Sequence, residues 1–151
     1  MPIQCDSLDE AALAELARRV AGALERGDTL VLAGEIGSGK TTFVRAAVRV
    51  LGVVGRVTSP TYQLARSYEG LSGGLPLAVN HLDLYRIEEV GGQDVLELED
   101  YLDPRAITFI EWAEPALGVL DNPSILHLSH LTPTTRRAHL RGPVADRLSR
   151  C

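Results

Sequence analysis

Apolar positions along the chain change their period several times, and each change predicts an element. Leu13, Leu16, Ala17, Val20 and Leu24 recur at the three- and four-residue spacing of one helix face. Ser7-Leu8-Asp9-Glu10 precedes them and fits a capping box, with Ser7 as N-cap and Glu10 reaching back. This predicts a first helix running to about Arg26 and stopped by Gly27. Thr29-Leu30-Val31-Leu32-Ala33 is short and continuously apolar, the pattern of a strand buried on both faces. Phe43, Val44, Ala47, Val48 and Leu51 then restore the helical period from Lys40 to Leu51, where Gly52 ends it. Gly34 to Gly39, in between, reads as a glycine-rich turn.

Further along, Ser59-Pro60 forces an extended or turn conformation at Ser59. Thr61–Tyr68 alternates as a strand, and Glu69–Pro76, with three Gly and one Pro, reads as a hairpin or flexible loop. Leu77–Leu84 is another strand. Residues 88–103 hold seven acidic side chains and no basic one, yet Val95, Leu96, Leu98 and Leu102 give them an apolar face. A solvated acidic helix and a surface for a basic partner both fit. Ala106–Ile110 is a second continuous apolar run. Ser124–Leu131 and Thr135–Leu140 form two late strands around Thr132-Pro133. Residues 136–150, with five Arg against one Asp, read as a basic tail. No repeat and no linker divides residues 1–151, so one α/β domain is expected.

Composition narrows the function. The net charge of −5 argues against a domain that grips nucleic acid mainly through its own surface. No apolar run approaches the ~20 residues of a membrane helix, and the start has neither a basic nor an apolar leader region, so the chain reads as cytosolic. Cys5 and Cys151, at opposite ends, then read as free surface thiols. Of the 15 basic residues, 14 are Arg. The single lysine is Lys40, inside the motif that carries the chemistry.

Gly34-Glu35-Ile36-Gly37-Ser38-Gly39-Lys40-Thr41 matches G-x-x-x-x-G-K-[ST] in full, between a strand and a helix as that motif requires. The glycines permit angles and close approach that a Cβ would block. Backbone N–H groups can then turn inward on an anion, supported by the start of the helix. Lys40 supplies a point charge for the β- and γ-phosphates, Thr41 suits Mg²⁺, and Thr42 sits near the α-phosphate. A guanine-specific N/T-K-x-D motif needs a second lysine, so ATP is favoured over GTP. Acidic residues at strand ends complete such a site. Asp83 and Glu111 qualify, Asp83 for the metal and Glu111 for the attacking water or the metal shell. Ser59-Pro60-Thr61-Tyr62 has the place of a γ-phosphate-sensing loop. Arg86 suits a phosphate or a nearby acid equally. His81 reads as a structural hydrogen-bonding residue. His127 and His130, three apart on a strand, make a poor metal pair, and His139 carries no signal.

Together Gly34–Phe43, Ser59-Pro-Thr-Tyr62, His81-Leu-Asp-Leu-Tyr-Arg86 and Ile110-Glu-Trp112 resemble the TsaE family, small bacterial ATPases of tRNA threonylcarbamoyladenosine (t6A) biosynthesis. The resemblance implies a P-loop three-layer α/β sandwich whose parallel sheet is extended by antiparallel strands. It implies Mg²⁺-dependent ATP hydrolysis and partnership with the TsaD and TsaB proteins, so that tRNA is met only indirectly. Carried over by motif, Lys40 and Thr41 bind phosphate and metal, Asp83 is a metal-site acid, Glu111 is the essential strand-end acid, and Trp112 is its functional neighbour. A small-molecule kinase and a nucleotide-dependent interaction module remain as alternatives. The kinase reading lacks an arginine-bearing lid, because Glu69–Pro76 contains no Arg.

Overall fold

The computed structural model describes residues 1–57, 65–84 and 98–151. Seven strands form one sheet in the order β1-β7-β6-β2-β5-β4-β3. They are β1 (Ile3–Leu8), β2 (Thr29–Ala33), β3 (Ala65–Ser72), β4 (Leu75–Asp83), β5 (Ile107–Glu111), β6 (Ser124–Thr132) and β7 (Thr135–Arg141). β2 lies parallel to β5 and β6, and β4 parallel to β5. The flanking pairs β3–β4, β6–β7 and β1–β7 are antiparallel. A parallel centre extended by antiparallel strands is therefore what the chain forms.

Alternation along the central strands separates two apolar layers. Leu30, Leu32, Ile107, Phe109, Leu126 and Leu128 face α1 (Glu10–Ala23), α2 (Lys40–Val50) and α3 (Pro143–Leu148). Val31, Leu82 and Ile110 face the other way, under Leu98, Ala113 and Ala116 from the segment around β5. The two continuous apolar runs of the sequence are β2 and β5, covered on both faces as their composition requires.

Several elements depart from the sequence expectation, each for a local reason. The N-cap of α1 is Asp9, not Ser7: the Asp9 carboxylate accepts from the Ala12 N–H at 2.8 Å. Ser7 lies in β1 with φ of 57°, where the pairing with β7 shifts register. α1 ends at Ala23, short of Arg26, because the Asp28 carboxylate takes the Glu25 N–H at 2.7 Å. The β3–β4 hairpin is tighter than a loop from Glu69 to Pro76. Both strands continue to a Gly73-Gly74 turn with positive φ at both glycines. Gly70 is not a turn residue: a Cβ there would stand 2.2 Å from the Leu51 carbonyl oxygen, so this glycine admits the end of α2. The sites proposed at Ser59, Pro60, Thr61, Tyr62 and Arg86 lie outside the described residues, as does most of the acidic stretch. Its end forms a helical turn at 98–101.

The basic tail is a correction. Residues from Arg136 onward belong to β7, which lies between β1 and β6, and to α3. Their charges are used in the fold: Arg137 pairs with Asp6 at 2.7 Å and Arg147 with Asp28 at 2.5 Å. The free-thiol reading is a second correction. Cys5 and Cys151 form a disulfide with Cα atoms 5.5 Å apart. β1 pairs with β7, and α3 follows β7 directly, so the two ends meet despite a separation of 146 residues. Among the described residues no helix is long and apolar enough to cross a membrane.

The reassigned cap has a measurable consequence. Asp9→Ala should lower unfolding stability by about 1 kcal/mol in urea denaturation. Ser7→Ala should change it by less than about 0.5 kcal/mol, because Ser7 caps nothing. Equal losses would return the cap to Ser7.

Candidate active site

β2, β4 and β5 all point their carboxyl ends to the same sheet edge, and the glycine-rich loop leaves β2 there. Register then places the polar groups. Asp83 pairs with Glu111, and Leu32 also pairs with Glu111. His81, Asp83, Phe109 and Glu111 share the sheet face that carries α1 and α2, by the two-residue period of strands. α2 begins at Lys40 on that face, with Gly39 as a left-handed N-cap at φ 105° and no side-chain capping bond. Leu13 is one reason for glycine here, since a Cβ on Gly39 would meet its Cδ2 at 2.9 Å. At Gly34, φ is 140° and a Cβ would stand 2.3 Å from the Leu128 carbonyl oxygen. The loop is pressed against β6, and only glycine fits beneath it.

A cavity of about 300 Å³ opens at this edge, lined by Ile36, Gly37, Gly39, Lys40, Thr41, Thr42, Asp83, Glu111 and Trp112. Six of the nine loop and helix residues read as phosphate-binding are thus in its wall. The other three take different places. Gly34 lies at the contact with β6, and the Glu35 side chain is exposed. Ser38 is buried, with no hydrogen-bond partner for its Oγ among the described residues. Lys40 is only 6% exposed and donates to the carbonyls of Gly34 at 2.5 Å and Glu35 at 3.0 Å. Its Nζ also sits 4.3 Å from the centre of the Trp112 ring, a cation–π contact. Trp112 itself holds φ of 57°, an uncommon conformation for an aromatic residue, directly after Glu111. Burial pushes the Lys40 ammonium below the usual lysine range, while Glu111, Asp83 and Glu114 act against that shift.

The donors around the cavity are oxygens: the Thr41 hydroxyl and the carboxylates of Asp83 and Glu111. That set suits a hard divalent cation such as Mg²⁺. Among the described residues no three His, Cys, Asp or Glu side chains form a metal cage. A cation here would complete its shell with water and ligand oxygens, the usual habit of Mg²⁺ at phosphates.

Two contributors escaped sequence reasoning. Arg136 of β7 donates through Nε to the Ser38 carbonyl at 3.2 Å and through a terminal nitrogen to the Gly37 carbonyl at 3.3 Å. It ties down the outward-facing carbonyls of the loop from 98 residues away in sequence. It also lines a second cavity of about 410 Å³ with Asp9, Leu13, Pro133 and Thr134, which shares Gly37, Gly39 and Thr42 with the first. Nothing local marks Arg136; only the strand alternation of 135–140 hinted at a side chain turned to a face. His81 is the other. It does hydrogen-bond within the fold, but its partner is Glu111, at 2.6 Å. Its place two residues before Asp83 was the available signal, since both then share a face. His127 and His139 stand opposite each other on β6 and β7, on the sheet face of Val31 and Ala113 and so across the sheet from this cavity.

Comparison with known proteins matches these features to one family. A family model described as threonylcarbamoyl adenosine biosynthesis protein TsaE matches residues 7–139. The chain is 45% identical over 103 residues to the tRNA threonylcarbamoyladenosine biosynthesis protein TsaE of Streptomyces coelicolor, covering 66% of each chain. It is 34% identical over 102 residues to the protein of the same name from Haemophilus influenzae, covering 68% of this chain and 62% of that one. The matched part thus spans a little under two-thirds of each relative. A crystal structure of YdiB from Bacillus subtilis superposes with a TM-score of 0.79 over 99% of this chain and 95% of that one, at 21% identity, which shows a shared fold. On a family match running from the end of β1 into β7, the chain belongs to the TsaE family of threonylcarbamoyl adenosine biosynthesis proteins.

Proposed function

We propose that this chain is a Mg²⁺-dependent ATPase with a P-loop, and that it supports turnover of the TsaD and TsaB proteins in tRNA t6A modification. The observation that carries the reading is the single cavity lined by Lys40, Thr41, Asp83 and Glu111 at the carboxyl edge of the parallel strands. A lone buried lysine facing two carboxylates beside a glycine-rich loop is suited to a polyphosphate and its cation.

Each residue has a role that follows from its chemistry. Lys40 exchanges the Gly34 and Glu35 carbonyls for the β- and γ-phosphate oxygens, which need its charge more. The loop N–H groups and the start of α2 hold the same phosphates. Thr41, Asp83 and the outer sphere of Glu111 are the residues that would hold Mg²⁺, which when bound offsets phosphate charge. Glu111 orients a water toward the γ-phosphorus and accepts its proton. The water oxygen bonds to that phosphorus as the bond to the β-bridging oxygen breaks, leaving ADP and phosphate. The second cavity, which shares Gly37, Gly39 and Thr42 with the first, has the room for the nucleoside end.

Against a kinase stands the place of the one loop weighed as its lid: the Gly73-Gly74 turn lies, among the described residues, at the opposite end of β4 from Asp83. Eight strand residues separate them, roughly 25 Å at the strand rise. A net charge of −5 fits a subunit that meets tRNA through its partners.

Two variants test the assignment. Lys40→Ala should raise the Kd for ATP with Mg²⁺ at least about tenfold in calorimetry, with the far-UV spectrum unchanged, since it removes a charged hydrogen-bond donor. Normal affinity would overturn the phosphate site. Glu111→Gln should bind ATP as the parent does and lose at least about 100-fold in turnover, measured by phosphate release with TsaD and TsaB present. Unchanged turnover would move the proton acceptor elsewhere, and a phosphorylated small molecule among the products would replace the ATPase reading with the kinase one.

A further inference from the structure

His81 is the only fully buried histidine among the described residues, with no exposed surface at all. Its Nε2 lies 2.6 Å from Oε2 of Glu111, and among the described residues its Nδ1 has no hydrogen-bond partner. A carboxylate oxygen only accepts, so Nε2 carries the proton and donates it. Burying a ring with one polar atom unsatisfied costs free energy, whereas Val79, two residues earlier on the same face, is apolar. The contact with Glu111 is what the histidine adds.

Glu111 needs that contact because of its neighbour. Glu111 and Lys40 line the same cavity and attract each other electrostatically. Glutamate has three side-chain torsions, and a freely turning carboxylate beside an ammonium would close onto it. Such a pair would occupy both the cation meant for phosphate and the acceptor meant for water. Instead, Lys40 donates to Gly34 and Glu35, and Glu111 is tied to His81.

We propose that His81 is a positioning residue for the reaction. By donating Nε2–H to Oε2 it keeps Glu111 off Lys40 and leaves Oε1 as the oxygen that serves the water. The proposal rests on the reading of Glu111 as proton acceptor and goes beyond it by naming what holds that group ready. Partners of this kind change activity by about 10- to 100-fold when removed from comparable sites.

The test compares His81→Leu, His81→Gln, Glu111→Gln and the double variant His81→Leu/Glu111→Gln. The expected result is a 10- to 100-fold lower kcat for ATP hydrolysis in His81→Leu, with KM for ATP within about threefold of the parent. His81→Gln, whose amide nitrogen can donate to the same oxygen, should recover most of that loss. The double variant should turn over no more slowly than Glu111→Gln alone, because His81 acts through Glu111. A readout independent of activity is the His81 Nε2–H proton resonance in the nucleotide-free protein. It should be downfield and protected from exchange, absent in His81→Leu, and shifted upfield in Glu111→Gln as a charged acceptor becomes neutral. Turnover within twofold of the parent in His81→Leu, an additive loss in the double variant, or a resonance indifferent to Glu111→Gln would each overturn the proposal. If Glu111→Gln alone keeps full turnover, the reading of Glu111 fails, whereas loss there with full turnover in His81→Leu fails only the positioning role. Should His81→Leu not fold, the kcat of His81→Gln and the resonance decide: a parent-like kcat and a shift with Glu111→Gln support the role, and a 10-fold loss or no shift rejects it.

Discussion

Parallel pairing of β4, β5 and β2 sets the level at which every polar group of the site stands. Because the three strands run the same way, Asp83, Glu111 and the start of the glycine-rich loop arrive together at one edge of the sheet. Their side chains then share a face by strand alternation alone. α2 must start on that face, since its apolar residues Phe43, Val44, Ala47 and Val48 pack on the same layer. Lys40 is carried to the acids by a helix that is held by its hydrophobic side. The chemistry is therefore a by-product of where the core lies, and no separate device is needed to gather the charges.

The loop itself is fixed from both sides. Beneath it, Leu128 of β6 approaches so closely that Gly34 admits no side chain. Outside it, Arg136 of β7 holds the carbonyls of Gly37 and Ser38. The β6–β7 pair thus shapes the glycine-rich loop. Carbonyls held outward leave N–H groups free to turn inward, which is the orientation an anion requires. The same strand pair brings the chain ends together, where Cys5 and Cys151 join.

Lys40, Trp112 and Glu111 form a compact arrangement of opposed demands. The lysine is buried and charged, the tryptophan covers it from a left-handed backbone position, and the glutamate stays tied to His81. The carbonyls of Gly34 and Glu35 receive the ammonium and keep a buried cation satisfied.

The sequence determined what depends on local order. Continuous apolar runs marked β2 and β5, the helical period marked α2 to within a residue, and the glycine-lysine-threonine motif marked the loop, because each is a property of neighbouring residues. Strand-end position singled out Asp83 and Glu111 for the same reason. Tertiary structure decided what depends on distance. The cap of α1 passed to Asp9 once β1 had taken Ser7, Gly70 served the approach of α2 instead of a turn, and the strand expected at Thr135–Leu140 took an interior place between β1 and β6. His81 met Glu111 only because β4 and β5 pair in one particular register, and Arg136 met the loop only because β7 folds back beside β6. Local pattern fixes the period and ends of an element, but which side chains meet across strands follows from register, and register is set by the whole core.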